Sequence, residues 1–188
     1  IIANKRGLTD AAAVGIVEKI IGFLFLVPSS MLSAVSALGA QNIGAGKSDR
    51  AVSTLRYAVM ITVIYGIIIV MIIQLAAESL VGLFSADAAV CIAGGRYIRG
   101  YIFDACFAGV QFSFSGYFCA VSRSELSFLH NFLSIIVVRV PGAFLASVLF
   151  PHDLLPMGLA SACGSLFSIA VCLIAFRLIS KRPAVHSI

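Results

Sequence analysis

Charged residues are scarce in this sequence, since Asp, Glu, Lys and Arg make up 11% of its 188 residues. A typical soluble domain contains about 25% of them. Four stretches hold no charged residue at all, namely 20–46, 57–77, 105–122 and 154–176. A helix needs about 20 apolar residues to cross the hydrocarbon core of a bilayer. The composition therefore excludes a soluble globular domain and predicts a protein that lies in a membrane.

Two further absences exclude other classes of protein. The cysteines are odd in number and form no CxxC pair, which argues against a disulfide framework or a zinc site and favours small packing residues; they are Cys91, Cys106, Cys119, Cys163 and Cys172. The net charge is +5, but no helix has a basic face. The Lys and Arg residues cluster in short loops, where they predict membrane orientation rather than binding to nucleic acid.

Hydropathy predicts five transmembrane helices, near 11–38, 53–77, 97–121, 126–150 and 155–178. Backbone polar groups in lipid must be satisfied within the segment, so each span is expected to be a helix. The unbroken length of the apolar runs excludes the alternating strands of a β-barrel. Pro28 predicts a kink in the first span, and the mildly amphipathic segment near 79–95 predicts an interfacial helix. The expected fold class is an all-α integral membrane protein.

Small residues recur at four-residue spacing in two of the predicted spans. Ser29, Ser33 and Ala37 follow this spacing in the first, and Ala160 and Gly164 in the last. Such spacing lets helix backbones approach closely. We therefore expect these helices to pack against neighbours.

Basic residues are divided unequally between the two ends of the spans. One side has seven and the other four, counting Lys47, Arg50, Arg56, Arg123, Arg177, Lys181 and Arg182 against Lys5, Arg6, Arg96 and Arg99. The richer side is expected to be cytoplasmic. Five spans then place the start of the chain outside and its C-terminus in the cytoplasm, and this arrangement predicts a further helix upstream.

The segment 39–48 looks superficially like a phosphate-binding loop because it ends in Gly-Lys-Ser. Such a loop requires a glycine five positions before the glycine of that triplet. The residue there is Gln41, and the preceding segment is a predicted membrane helix rather than a strand. The nucleotide-binding interpretation fails, and Gly44 and Gly46 instead predict the end of a helix.

A series of short segments resembles one family of membrane proteins. Gln41, Asn42, Gly44 and Gly46, followed by 50–51, resemble the signature that closes the second helix of each half in the multidrug and toxic compound extrusion (MATE) family. Segments 97–104 and 114–118 resemble its tenth helix, 138–141 its eleventh and 157–160 the start of its twelfth. The resemblance covers nearly the whole chain, in order and at consistent spacing.

This resemblance implies twelve helices in two six-helix lobes, with both termini cytoplasmic. Residues 1–188 would then form a partial C-terminal lobe, helices eight to twelve, with 1–5 as the end of helix seven. The chain begins without Met and without a signal-peptide pattern, which fits a segment of something longer. The expected partners are the lipid bilayer, an N-terminal six-helix lobe and a small organic substrate, with no nucleic acid.

Four charged residues lie inside predicted spans: Glu18, Lys19, Asp104 and Arg139. Each costs about 2.5–3.5 kcal/mol at the centre of a helix, so such residues normally face the protein interior and pair. Their depths in the membrane allow mutual pairing. The residues alone are equally consistent with a structural ion pair that fastens the helices and with a functional site. The resemblance implies that Asp104, on the tenth helix, takes part in cation or proton coupling, with Glu18, Lys19 and Arg139 as possible partners.

Polar and aromatic residues on the same spans are expected to line a substrate cavity. The set comprises Gln111, Ser113, Asn131 and Phe107, with Ser115, Ser134, Phe112 and Phe114 as further members. Phenylalanine rings can bind a lipophilic cation, although contact with lipid is their commoner role. His130 is expected near the cytoplasmic end of its span, and His152 in an outer loop, each as a polar interfacial residue.

Taken with the resemblance, these features predict a secondary antiporter in the cell membrane, multi-pass, in a bacterial inner membrane. It would export organic, often cationic, compounds in exchange for Na⁺ or H⁺, with no other cofactor and no metal site. A flippase for lipid-linked precursors or polysaccharide is the alternative, although it would need several cationic cavity residues. An intramembrane enzyme would need a nucleophile–base pair, paired aspartates or a metal set, and the sequence has none of these.

Overall fold

The computed structural model describes residues 7–151 and 153–181, except for the side chains of Ser180 and Lys181. The described residues are helical and contain no strand. Their elements, with one π-helical segment, are α1 Leu8–Leu24, α2 Leu26–Gly44, α3 Ser48–Gly82, α4 Ala88–Tyr101, α5 Asp104–Ala120, α6 Ser124–Ser134, π Ile135–Arg139, α7 Val140–Leu149 and α8 Leu155–Lys181. The predictions for residues 1–5 and for His152 lie outside the described residues, as do Lys5, Arg6 and Arg182.

Four continuous helical stretches are long and apolar enough to cross a membrane: Leu8–Gly44, Ser48–Gly82, Ser124–Leu149 and Leu155–Ile179. The α4–α5 pair, interrupted at residues 102–103, runs through the middle of this group. It packs against α1, α2, α3 and α8, whereas α3 and α7 leave many large apolar side chains exposed. The expected class, an all-α integral membrane protein, is confirmed, and the central position of α4–α5 determines which side chains are sheltered from lipid.

The first membrane helix bends between α1 and α2, one turn before Pro28. Proline has no N–H, so the carbonyl four residues earlier, that of Leu24, lacks its helical donor. The hydroxyl of Tyr65 on α3 donates to this Leu24 oxygen at 2.8 Å. The bond satisfies a carbonyl that would otherwise be costly in a membrane. The kink predicted from Pro28 is confirmed.

Small residues allow α4 and α8 to approach closely, but only one of the two predicted sets lies in an interface. A Cβ on Gly158 would stand 2.5 Å from the carbonyl oxygen of Tyr97, and one on Gly100 would meet that of Leu155. Ala160 likewise lies against α7. Ser29, Ser33 and Ala37 are exposed on α2, so in the described part of the chain this stripe does not pack as expected.

The predicted interfacial helix near 79–95 does not exist as a unit. Residues 79–82 continue α3, and residues 88–95 begin α4, which packs against α1, α3 and α8. The boundary between the two helices is set by Asp87, whose carboxylate accepts a hydrogen bond from the N–H of Ala89 at 2.9 Å. Asp is a favoured N-cap, and α4 therefore starts well before residue 97, while the predicted span 97–121 is divided between α4 and α5.

The signature segment ends α2 in a well-defined way. The N–H of Gly46 donates to the carbonyl of Ile43 at 2.9 Å, and that of Lys47 to the carbonyl of Asn42 at 2.8 Å. This is the Schellman pattern, in which the residue after the helix takes a left-handed conformation that glycine adopts without strain. Gly46 has φ of 72°, while Gly44 is the last helical residue. The helix end predicted from this segment is confirmed.

Candidate functional site

Asp104 is the first residue of α5 and lies at the break between α4 and α5. Its side chain has no exposed surface. Its Oδ2 is 3.2 Å from Nη2 of Arg139, whose side chain is 27% exposed. The structure thus pairs two of the four charges that the sequence places within the spans, one from α5 and one from the end of the π-helical segment.

The position of Arg139 depends on irregular backbone and on a missing side chain. Ile135–Arg139 is π-helical. This form is rare in proteins, and where it occurs it is often at a functional site. Pro141, two residues after Arg139, cannot donate a backbone hydrogen bond. Gly164 on α8 has no side chain, and a Cβ there would collide with Cγ of Arg139. The stem of Arg139 therefore lies against the backbone of α8, which directs its guanidinium towards Asp104.

A chain of hydrogen bonds extends from this ion pair across three helices. Nη2 of Arg139 also donates to Oγ of Ser165 at 2.6 Å. Ser165 donates to Oε1 of Gln111 at 3.1 Å, and Nε2 of Gln111 donates to Oδ1 of Asn131 at 3.3 Å. Ser165 and Gln111 each accept one of these bonds and donate the next, an arrangement that polarises such chains cooperatively. We call Asp104, Arg139, Ser165, Gln111 and Asn131 the Asp104 cluster.

Two buried atoms of the Asp104 cluster have no hydrogen-bond partner among the residues that the structure describes: Oδ1 of Asp104 and Nε of Arg139. A buried polar atom without a partner costs about 1–3 kcal/mol, and more when it is charged. Such atoms are few in native proteins, and each calls for an explanation. An unpaired carboxylate oxygen inside a membrane helix bundle has the chemistry to take up a proton or to bind a small cation.

Glu18 and Lys19 do not join this pair, contrary to expectation. Both are exposed on α1. The buried residues of α1 are Ala13, Val17, Ile20 and Ile21, which face the bundle and leave Glu18 and Lys19 on the remaining surface. Within the described part of the chain, neither is bonded to Asp104 or Arg139.

The residues expected to line a cavity divide between two faces of α5. Gln111 and Asn131 belong to the Asp104 cluster. Ser113 is buried elsewhere, with its hydroxyl donating to the carbonyl of Gly109 at 2.8 Å, and Gly109 packs on Thr62 of α3. Phe107 is half-buried. Two residues along a helix turn the side chain through about 200°, so Ser113 lies on a different face of α5 from Gln111, and its place in a cavity stays a prediction.

His130 is the side chain that the sequence interpretation misplaced. It is 1% exposed, not interfacial. Its Nε2 is 2.8 Å from Oγ of Ser115 on α5, and its Nδ1 is 2.7 Å from Oγ of Ser168 on α8. A signal was available, because polar residues follow helical spacing on both partner helices: 104, 111 and 115 on α5, and 161, 165 and 168 on α8.

The described residues contain no group of three or more His, Cys, Asp or Glu able to hold a metal ion. One family model, described as MatE, matches residues 1–145. No curated protein and no solved structure matches the chain.

Proposed function

The chain belongs to the MatE family of membrane transporters, and we propose that it belongs to a secondary antiporter that exports organic, often cationic, compounds. Na⁺ or H⁺ would enter the cell in exchange. Membership of a transporter family argues against an enzyme. The site chemistry agrees with this proposal, since the Asp104 cluster joins one carboxylate and one guanidinium through neutral hydrogen-bonding groups and contains no nucleophile paired with a base.

The observation that carries this proposal is the buried Asp104–Arg139 pair at a break in the central helix. Transporters of several folds bind their coupling ions near the bilayer midplane, where helices are discontinuous. A proton or Na⁺ that reaches Asp104 competes with Arg139 for the carboxylate. Release of Arg139 then alters the contacts of the π-helical segment with α5 and α8. A change in these contacts can shift the balance between inward-open and outward-open states.

We further propose that the chain works as a partial C-terminal lobe beside an N-terminal six-helix lobe, in a bacterial inner membrane. One feature of the structure supports the two-lobe arrangement. The polar and small residues on the outer face of α1 and α2 include Glu18, Lys19 and Ser33, all exposed. Such side chains are costly in lipid, so a second lobe or a water-filled cavity is their natural neighbour. Alternating access would come from rocking of the two lobes.

The experiment that tests the proposed function is transport by the purified complete transporter in proteoliposomes. We expect efflux of ethidium, a fluorescent organic cation, when an inward Na⁺ or H⁺ gradient is imposed, and no efflux once the gradient is collapsed with an ionophore. Liposomes without protein are the control. Equal ethidium fluxes with and without either gradient would contradict ion-coupled antiport.

We expect cysteine labelling to place Lys47 in the cytoplasm and Asp87 outside. Both residues are exposed in turns next to α3 and α4, and the excess of basic residues is expected on the cytoplasmic side. A membrane-impermeant maleimide added to intact cells should therefore modify Asp87→Cys and leave Lys47→Cys unmodified until the membrane is opened. The reverse pattern would contradict the proposed orientation and, with it, a cytoplasmic C-terminus.

A further inference from the structure

A second polar group lies on the same side of α5 as the Asp104 cluster. His130 is buried between α5 and α8, and each of its ring nitrogens is within hydrogen-bond distance of a serine hydroxyl. The ring of Phe118 stands beside it, with centroids 6.3 Å apart. We call Ser115, His130 and Ser168 the His130 group. The proposed coupling at Asp104 makes no use of this group.

The two serine partners suit both charge states of the imidazole. A neutral imidazole donates from one nitrogen and accepts at the other, while an imidazolium donates from both. A serine hydroxyl can donate or accept, and it can turn its hydrogen towards the carbonyl four residues earlier in its helix. The hydroxyls of Ser115 and Ser168 can therefore bond His130 before and after it gains a proton. A histidine that only linked α5 to α8 would not require partners that suit both of its charge states.

The charged groups around His130 allow the imidazole both to gain and to lose a proton. From α5, Ser115 and Phe118 face the ring, and from α8, Ser168 faces it with the buried Cys172 one turn further on. The charged residues of the elements packed around it are Asp104, Glu125, Arg139, Arg177 and Lys181. None of those whose side chains are described forms a hydrogen bond or ion pair with His130. No neighbouring charge holds the imidazole permanently in one state.

The His130 group and the Asp104 cluster follow one another along the same seam. Ser115 is one turn beyond Gln111 on α5, Ser168 is about one turn beyond Ser165 on α8, and His130 precedes Asn131 directly. One turn is about 5.4 Å, roughly the span of two hydrogen bonds through one water molecule. From Ser115 to Asp104 the path along α5 is about 16 Å.

We propose that His130 is a second proton-binding site of this lobe and exchanges protons with Asp104 along the seam between α5 and α8. This inference rests on the proposed antiport and commits it to H⁺ as the coupling ion. In each exchange the imidazolium becomes a neutral imidazole and the carboxylate becomes a neutral carboxylic acid. Arg139 then loses its anionic partner. Proton transfer from His130 to Asp104 is thereby linked to the change between inward-open and outward-open states.

The first test uses His130→Gln in the complete transporter, reconstituted in proteoliposomes. Glutamine keeps one donor and one acceptor but does not gain a proton. We expect at least a tenfold loss of ethidium efflux driven by a pH gradient. Exchange of ethidium between the two sides at equal pH should stay within twofold of the unaltered protein, because it needs no net proton transfer. Thr62→Val is the control, since Thr62 is also buried but bonds only to carbonyls of its own helix.

Two outcomes of this test would overturn the proposal. One is normal efflux driven by a pH gradient in His130→Gln. The other is equal loss of both efflux and exchange at normal protein levels, which indicates a structural role. If the unaltered transporter is driven by Na⁺ and not by a pH gradient, the His130 proposal fails while antiport stands. If neither gradient drives efflux, the antiport proposal itself fails.

A second measurement decides the matter if His130→Gln does not reach the membrane. The imidazole of His130 is followed by NMR in the complete transporter, with ring-labelled histidine and the other histidines replaced by Gln. We expect its resonances to change with pH, because an imidazole that exchanges protons has a neutral and a charged form, and the midpoint of that change to move when Asp104→Asn is added. Resonances that stay constant, or a midpoint that does not respond to Asp104→Asn, would overturn the proposal.

Discussion

Asp104→Asn should remove at least nine-tenths of ion-driven efflux while the protein reaches the membrane at close to its normal level. Asparagine has nearly the shape of aspartate and keeps an oxygen that can accept the hydrogen bond from Arg139. It has no negative charge and does not take up a proton or hold a cation by charge. Arg139 remains bonded to Ser165 at 2.6 Å and is 27% exposed, so the loss of its anionic partner is tolerable.

The measurement is ethidium efflux from proteoliposomes under a Na⁺ or pH gradient, normalised to the amount of reconstituted protein. Asp49→Asn is the matched control, because Asp49 is an exposed carboxylate in the first turn of α3. The control should transport normally. Efflux by Asp104→Asn at the rate of the unaltered protein would contradict a coupling role for this carboxylate.

Arg139→Gln, unlike Asp104→Asn, should greatly lower both the stability of the protein and its abundance in the membrane. Removing one partner of a buried ion pair costs about 3–5 kcal/mol, because the remaining charge is stranded. Asp104 has no exposed surface, and one of its oxygens already lacks a partner. Without Arg139 the carboxylate retains no cationic neighbour within the Asp104 cluster. The variant should therefore unfold at a lower temperature and accumulate poorly.

Fluorescence-detected gel filtration after heating gives the melting temperature in detergent, and a blot of membranes gives the abundance. Arg177→Gln is the matched control, since Arg177 is exposed near the end of α8 and should change neither quantity. The two single variants are expected to differ because the Asp104 side chain is fully buried, whereas that of Arg139 is partly exposed. An Arg139→Gln protein as stable as Arg177→Gln would show that the pair contributes little to the fold.

Much of the fold was predictable because membrane insertion leaves few alternatives. Long uncharged runs in lipid have to be helices, and a proline has to leave one carbonyl without its donor. The bend before Pro28 follows from that rule. What the sequence does not reveal is the compensating partner, Tyr65, which comes from another helix. Likewise the start of α4 at Ala88 depends on a cap at Asp87, a local polar contact that hydropathy averages away.

The candidate site was predictable to the extent that charge is costly in a membrane. This cost indicated that Asp104 and Arg139 should pair, and they do. The same argument placed Glu18 and Lys19 beside the pair. The free-energy cost of a charge in the membrane does not show which face of α1 packs against the other helices. His130 was missed for a related reason. A histidine near the end of a span reads as interfacial unless the polar spacing on α5 and α8 is considered together with it.

The central claim is that Asp104 couples ion flow to export and does more than hold α5 to the π-helical segment. The measurement that tests it most directly is ion-driven ethidium efflux by the double variant Asp104→Asn/Arg139→Gln, which removes both charges and strands neither. We predict that the double variant regains most of the stability lost in Arg139→Gln yet shows less than a tenth of normal efflux. Restored stability together with restored, gradient-dependent efflux would contradict the claim and leave the pair a structural one.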